Sequence, residues 1–192
     1  MTTRADGHLR LFLALWPPPP LATALASLAR DLAATTGGRA TPRERLHLTL
    51  LFLGDQPAAQ LPALQAVVAG SLSRLAPCVL TLDRMGAWPR QSLIWAGTQA
   101  VPSGLGEWAR GLRSTLENAG FSLPSAPDFH PHVTLVRRAR TLPEPGRALD
   151  LPHWSVGECA LIASTLAPEG PVYRQLGTWP ATGDVQGDGS GP

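Results

Sequence analysis

The sequence predicts an α+β fold that is built mostly on antiparallel β-sheet and divided into two related lobes. Apolar runs typical of strands alternate with runs of helical spacing, but several consecutive strands are joined by turns too short for a crossover helix. The pattern His-x-Thr-Leu occurs at residues 47–50 and again at residues 132–135, nearly half the chain apart. Each copy follows a predicted helix and a proline-containing loop, and this shared context favours an internal duplication.

The first three elements follow from apolar runs that end at proline or glycine. Residues 9–16 form an apolar run ended by four prolines, which predicts a strand. Leucines spaced three or four apart over residues 21–34, followed by two glycines, predict a helix. Residues 46–53 predict a second strand, which we expect to end at Gly54.

The middle of the chain continues this alternation. Residues 58–75 have the spacing of a second helix. Two short strands are predicted at residues 79–82 and 92–96, joined by a turn that contains Gly86 and Pro89.

The last elements predict a second half with the same character as the first. Residues 104–119 predict a helix, and residues 132–136 a strand. Two further strands are predicted at residues 154–164 and 172–176, separated by a turn at residues 168–171.

The composition is that of a globular chain. Of its 192 residues 44% are hydrophobic and only 16% are charged, which excludes a chain kept disordered by charge. No apolar run reaches the roughly 18 residues of a membrane span, and no signal-peptide cleavage site follows the first apolar run. We therefore expect a cytoplasmic protein with one domain over residues 1–180 and a disordered, glycine-rich tail over residues 181–192.

The charged residues permit a phosphate ligand, and the cysteines indicate neither a disulfide nor a metal site. All 16 basic residues are arginine, whose guanidinium group can hold a phosphate through two hydrogen bonds. The net charge of +2 permits a phosphate ligand without requiring one. Cys78 and Cys159 lie in unlike surroundings and outside any metal-binding spacing, so we expect two free, packed thiols.

The two His-x-Thr patterns are the candidate catalytic groups. Because side chains alternate along a strand, His47 and Thr49 share one face, and so do His132 and Thr134. If the lobes face each other, a neutral imidazole can take a proton from water while a protonated one gives a proton to a leaving oxygen. The threonine hydroxyls can then bind the phosphate oxygens. The alternative for each pattern alone is a structural histidine beside a β-forming threonine.

Two other residues stand five positions after these histidines. Phe52 and Arg137 would face away from His47 and His132 under strict alternation, so they belong to the same site only if each strand bulges. The alternatives are core packing for the phenylalanine and a solvated strand end for the arginine.

A further alternative is a metal site. His130 and His132 could bind zinc from one strand face, with Asp128 as a possible third ligand, although no other protein ligand is evident nearby.

The sequence resembles the two-histidine phosphoesterase superfamily, and within it the branch of RNA 2′,3′-cyclic phosphodiesterases, also called 2′-5′ RNA ligases. The resemblance covers about residues 9–180. It rests on two signature motifs, HLTLLFLG at residues 47–54 and PHVTLVR at residues 131–137, and on three flanking segments in order, RLFLALWPP, RQSLIWAG and YRQLGTWP.

This resemblance implies a bilobal α+β fold with helices outside and a pseudo-twofold central groove. It implies a monomer that hydrolyses the 2′,3′-cyclic phosphate end of RNA to a 2′-phosphate without metal or cofactor, with reverse 2′-5′ joining also known for the branch. His47 would protonate the leaving O3′ and His132 would activate water, and Thr49 and Thr134 would hold the phosphate.

In the same way, the resemblance assigns Phe52 to stacking on the terminal base and Arg137 to gripping the phosphate. Two alternatives remain beside this expectation. The substrate could instead be a small cyclic phosphate, or the chain could be a non-catalytic module that binds RNA ends.

Overall fold

The computed structural model describes residues 7–72, 77–125, 128–144, 146–168 and 170–181. The strands within them are β1 (His8–Leu15), β2 (Arg39–Ala40), β3 (Leu48–Pro57), β4 (Cys78–Leu80), β5 (Arg84–Trp88), β6 (Leu93–Gly97), β7 (His132–Arg137), β8 (Trp154–Val156), β9 (Glu158–Ala167) and β10 (Gly170–Pro180). The α-helices are α1 (Pro19–Thr36), α2 (Leu61–Leu72) and α3 (Ser103–Asn118). The predicted tail lies, from residue 182 onward, outside the described residues.

The main sheet has the strand order β10-β9-β1-β3-β7-β6-β5, and β2 also pairs with β7. Every described pairing is antiparallel, which with the helices confirms the predicted α+β class. We call β10, β9, β1 and β3 the first half-sheet, and β7, β6 and β5 the second half-sheet. They join through one residue pair, Leu48 with Val133, so the two lobes form one sheet at their junction.

The first helix shows how proline and glycine set an element's ends. Pro19 and Pro20, whose run ends the preceding strand, occupy the first helical turn, where a missing N–H costs nothing. The helix ends at Gly37, whose φ of 66° is left-handed and whose N–H donates to the Ala33 carbonyl. The helix therefore extends slightly beyond the predicted residues 21–34 at both ends.

The two faces of the main sheet have different partners. Alternate β1 residues such as Leu11 and Leu13 join the large core that also contains buried residues of all three helices. The intervening residues, Phe12 and Ala14, belong to a small second cluster with Ala160 and Ile162. We call this side the groove face, because it is the side on which the candidate catalytic residues lie. No helix in the described part of the chain is long and apolar enough to span a membrane.

The predicted turn that contains Gly86 and Pro89 is present at Pro89 but wrong at Gly86. Gly86 lies inside β5, which pairs with β6 through a turn at Pro89–Gln91. The glycine serves close packing here, because a Cβ at this position would overlap the indole ring of Trp95. The strand predicted over residues 79–82 is present as β4, at Cys78–Leu80, but it pairs with β8 in a separate two-stranded sheet, and β5 is the strand joined to β6 by the turn.

Other element boundaries also differ from the predictions. The strand expected to stop at Gly54 continues to Pro57, because this glycine has a φ of 74° and takes part in a bulge opposite β1. The strand predicted over residues 154–164 is divided at Gly157 into β8 and β9. The helix predicted over residues 58–75 begins with a short 3₁₀ turn at Ala58–Gln60, and its residues 73–76 lie outside the described residues. Cys78 and Cys159 are free thiols, as expected.

Candidate active site

The two candidate catalytic histidines meet where the half-sheets join. Leu48 pairs with Val133, and this antiparallel register, extended by one residue each way, places Thr49 opposite His132 and His47 opposite Thr134. All four side chains lie on the groove face and are half-buried. His47 lies just before β3, because the strand begins at Leu48. The predicted strand start at residue 46 is therefore wrong by two residues.

Each imidazole is held by the same hydrogen bond. Nδ1 of His47 lies 2.7 Å from the carbonyl oxygen of Arg45, and Nδ1 of His132 lies 2.8 Å from the carbonyl oxygen of His130. A carbonyl oxygen can only accept, so Nδ1 carries the proton and donates in both rings. In the neutral form Nε2 of each ring is therefore the unprotonated nitrogen, able to accept a proton.

A bulge at the same place in both strands brings the fifth residue after each histidine onto the groove face. On β3, Leu50 is the extra residue between the partners of Leu13 and Ala14; on β7, Leu135 is the extra residue opposite β6. Phe52 consequently pairs with Phe12 and packs against the small second cluster to which Phe12 belongs. Arg137 lies on the same side of the sheet as His132. The strand irregularity that the sequence required is present in both copies.

The surroundings of His47 are aromatic. Its ring centroid lies 5.0 Å from that of Phe12, 5.4 Å from that of Trp16 and 5.3 Å from that of Tyr173. Burial is the main reason that the pKa of His47 is lowered from 6.5 to about 4. The carbonyl of Arg45 opposes this shift, whereas the positive charges of Arg137 and His132 add to it.

His132 has a corresponding environment on the second half-sheet. The Trp88 ring meets it edge-on at 4.5 Å between centroids, and Trp95 lies 6.4 Å away. Burial lowers the pKa of His132, the carbonyl of His130 raises it, and the charges of His130 and Arg137 lower it again. Both free imidazoles are thus predominantly neutral at pH 7.

Arg137 is the cation that both imidazoles share. Its charge lowers the pKa of His47, of His132 and also of Tyr173, although burial raises the tyrosine pKa overall. Its own side chain is exposed. An anion bound between the two histidines would therefore lie within the field of a guanidinium group.

The aromatic residues around the histidines were not predicted as site residues. Phe12 and Trp16 come from β1 and the residue after it, Tyr173 from β10, and Trp88 and Trp95 from β5 and β6. The signal for the first two was the alternation within residues 9–16, where an aromatic or small residue follows each leucine from Leu11 onward and indicates a second buried face.

The zinc alternative lacks a ligand set. The rings of His130 and His132 are stacked with centroids 6.2 Å apart. Across the described ranges, no group of three or more His, Cys, Asp or Glu side chains is placed to hold a metal ion, and Asp128 does not complete one.

Comparison with known proteins supports one family. The sequence model of the LigT like Phosphoesterase family matches residues 15–95. The chain is 35% identical over 178 residues to the RNA 2′,3′-cyclic phosphodiesterase of Escherichia coli, covering 90% of this chain and 97% of that protein.

The chain belongs to the LigT-like phosphoesterases. A second family member, the RNA 2′,3′-cyclic phosphodiesterase of Thermus thermophilus, is 33% identical over 201 residues, covering 96% of this chain and 98% of that protein. The crystal structure of Escherichia coli LigT complexed with 3′-AMP superposes with a TM-score of 0.77 at 33% identity, covering 91% of this LigT-like phosphoesterase and 99% of that chain.

Proposed function

We propose that this LigT-like phosphoesterase hydrolyses the 2′,3′-cyclic phosphate end of RNA to a 2′-phosphate by acid–base catalysis with His47 and His132. The observation that carries the proposal is the matched pair of imidazoles, each fixed in the same tautomer and placed on either side of the β3–β7 junction. The two relatives named above, both RNA 2′,3′-cyclic phosphodiesterases, support the same substrate.

In the proposed reaction, Nε2 of His132 takes a proton from water as its oxygen bonds to phosphorus. The bond from phosphorus to O3′ breaks, and Nε2–H of His47 gives its proton to O3′, which leaves the phosphate on O2′. One ring must therefore begin protonated although burial keeps both pKa values low. The negative charge of the bound phosphodiester favours that protonated form and raises its pKa in the complex.

The remaining residues bind the substrate in this proposal. The hydroxyls of Thr49 and Thr134 donate hydrogen bonds to the non-bridging phosphate oxygens, whose charge is distributed in the transition state. Arg137 pairs with the phosphate charge, and Phe52 stacks on the terminal base. These groups supply acid, base and charge stabilisation, so we propose that the reaction needs no metal.

The same site also fits 2′-5′ joining, in which a 5′-hydroxyl takes the place of water and opens the cyclic phosphate. His132 and His47 then keep the roles of base and acid, because only the nucleophile differs, and they exchange roles when the 2′-5′ linkage is cleaved back to the cyclic phosphate.

The test is turnover of an RNA oligonucleotide ending in a 2′,3′-cyclic phosphate, with EDTA present. We expect a 2′-phosphate product from the natural protein and a loss of about 10²–10⁴-fold in His47→Ala and His132→Ala. His153→Ala is the matched control, since this histidine lies beside the β4–β8 sheet with Nδ1 3.0 Å from the Thr81 hydroxyl, and we expect full turnover.

The same assay separates the alternatives. Faster turnover of a cyclic mononucleotide than of the oligonucleotide would favour a small cyclic phosphate as substrate. Binding of the RNA end without any turnover would favour a non-catalytic module. Activity that EDTA abolishes would refute the metal-free mechanism.

A further inference from the structure

The groove face of the second half-sheet continues well beyond His132, with side chains that the proposed hydrolysis does not use. Trp88 is half-buried, His130 is exposed, and Arg84 is half-buried on the same strand as Trp88. Together they offer an aromatic surface and positive charge beside one catalytic imidazole.

The pairing registers place these side chains on the same face. His132 pairs with Gly97 on β6, and Gly97 pairs with Arg84 on β5, so the three residues form one row across the sheet. With strands about 4.8 Å apart, the Cα of Arg84 lies about 10 Å from that of His132. Trp88 lies four residues along β5 from Arg84, and Gly86 between them faces the same way.

Two glycines allow the Trp95 ring to pack flat against the sheet. The Trp95 indole lies across Gly86 and Gly97, and a Cβ on Gly97 would stand 2.6 Å from Cζ3 of that ring. Trp95 is therefore almost fully buried, while the rings of Trp88 and His130 rise above it, 6.1 Å apart between centroids. The His130 ring also lies edge-on to Trp95 at 4.8 Å.

Arg84 supplies the positive charge of this surface, and His130 supplies an imidazole N–H. The guanidinium is close enough to lower the pKa of the His130 ring, although burial is the larger cause. Arg84 forms no ion pair with a carboxylate in the part of the chain that the structure describes. A phosphate between these two groups would meet a permanent cation and an imidazole N–H.

The direction of attack decides what this surface can hold. In phosphoryl transfer the attacking and leaving oxygens lie roughly in line with phosphorus. In the proposed function the terminal nucleoside, which carries the leaving O3′, lies toward Phe52 on the first half-sheet. The nucleophile must then arrive from the opposite side, where His132 and Trp88 lie.

We propose that Trp88, His130 and Arg84 form a binding site for an acceptor nucleotide of a second RNA strand, which presents its 5′-hydroxyl in place of water. The acceptor base stacks on Trp88, and the next phosphate of that strand lies between His130 and Arg84. This inference rests on the proposed function and adds to it the residues that hold the second strand.

The chemical step balances without a further reactant. Nε2 of His132 takes the proton of the 5′-hydroxyl, the 5′-oxygen bonds to phosphorus, and the bond from phosphorus to O3′ breaks. His47 gives its proton to O3′, so the product has a 2′-5′ linkage and a free 3′-hydroxyl.

The experiment measures two products in one reaction. An RNA oligonucleotide with a 2′,3′-cyclic phosphate end is incubated with a second oligonucleotide bearing a 5′-hydroxyl, and the ratio of 2′-5′-joined to 2′-phosphate product is determined against acceptor concentration. We expect the ratio to saturate in the natural protein and to fall about tenfold or more in Trp88→Ala and Arg84→Gln, since each removes an acceptor contact. Arg110→Gln, on an exposed site of α3, is the matched control and should keep the natural ratio.

The ratio is independent of how much enzyme folds, because both products come from the same active molecules. A hydrolysed product with no joined product at any acceptor concentration overturns the acceptor site while leaving the hydrolase proposal intact. Unchanged ratios in both variants also overturn it. Absence of both products refutes the proposed function, and the acceptor site with it.

Discussion

Lowering the pH from 7 to 5 should cost this protein about 2 kcal/mol of unfolding free energy through His47 alone. The pKa of this ring is about 4 in the folded protein, against 6.5 for an imidazole in water. At pH values between 4 and 6.5 this imidazole binds a proton in the unfolded chain but stays neutral in the folded protein. The stability is therefore complete above pH 6.5 and is lost as the pH falls toward 4, at about 1.4 kcal/mol per pH unit in the middle of that range.

The assay is urea denaturation of the natural protein and of His47→Gln at pH 7 and pH 5, in buffers free of phosphate. Glutamine does not titrate, so the variant should lose about 2 kcal/mol less than the natural protein between the two pH values. His132 and the other titrating groups are present in both proteins, so the difference between the two losses reports the ionisation of His47 together with its coupling to His132. Equal losses in the two proteins would refute the reasoning, because His47 would then be as free to ionise in the groove as in water.

Three further outcomes follow from the site and its packing. The pH profile of kcat/KM for cyclic phosphate hydrolysis should peak below pH 6.5, because burial lowers the pKa of both histidines, and a peak above pH 7 would contradict this. Thr49→Val should lower kcat by about 10²-fold through loss of one donor to the phosphate, and an unchanged kcat would remove the hydroxyl from the mechanism. Gly86→Ala should lower the free energy of unfolding by about 1–3 kcal/mol, because its methyl group overlaps the Trp95 ring; an unchanged urea midpoint would show that the ring moves aside freely.

The sequence predicted the position of the candidate histidine pair better than the side chains around it. His47 and His132 could be paired because each is followed by a threonine two positions later, and strand alternation then places the two side chains together. Alternation alone left the fifth residue open, since it turns Phe52 and Arg137 away unless each strand bulges. The two adjacent buried residues that form each bulge, such as Leu50 and Leu51, are a local signal that can be read in retrospect.

The sequence could not show that these aromatic rings surround the histidines, because the rings come from strands that are distant in sequence from them. Trp16, Tyr173 and Trp88 approach the histidines only through a strand order in which β1 lies between β9 and β3 and β6 lies between β5 and β7. Strand order depends on pairings across the whole chain. Gly86 illustrates the same limit, since a glycine required by a tryptophan from the next strand cannot be distinguished locally from a glycine that makes a turn.

Because the two rings share one tautomer, a phosphodiester can bind between them in either of two opposite directions. Each ring directs its proton-bearing Nδ1 into the backbone and leaves Nε2 as the nitrogen that accepts or returns a proton. A phosphodiester turned end for end would thus encounter the same hydrogen-bonding chemistry at the two rings, and the deeper burial of His47 and the different side chains around each ring would distinguish the two orientations. The direction in which the phosphodiester lies is therefore set by the half-sheet that binds the nucleoside. Exchanging the stacking residues between the two half-sheets should change which histidine faces the leaving oxygen.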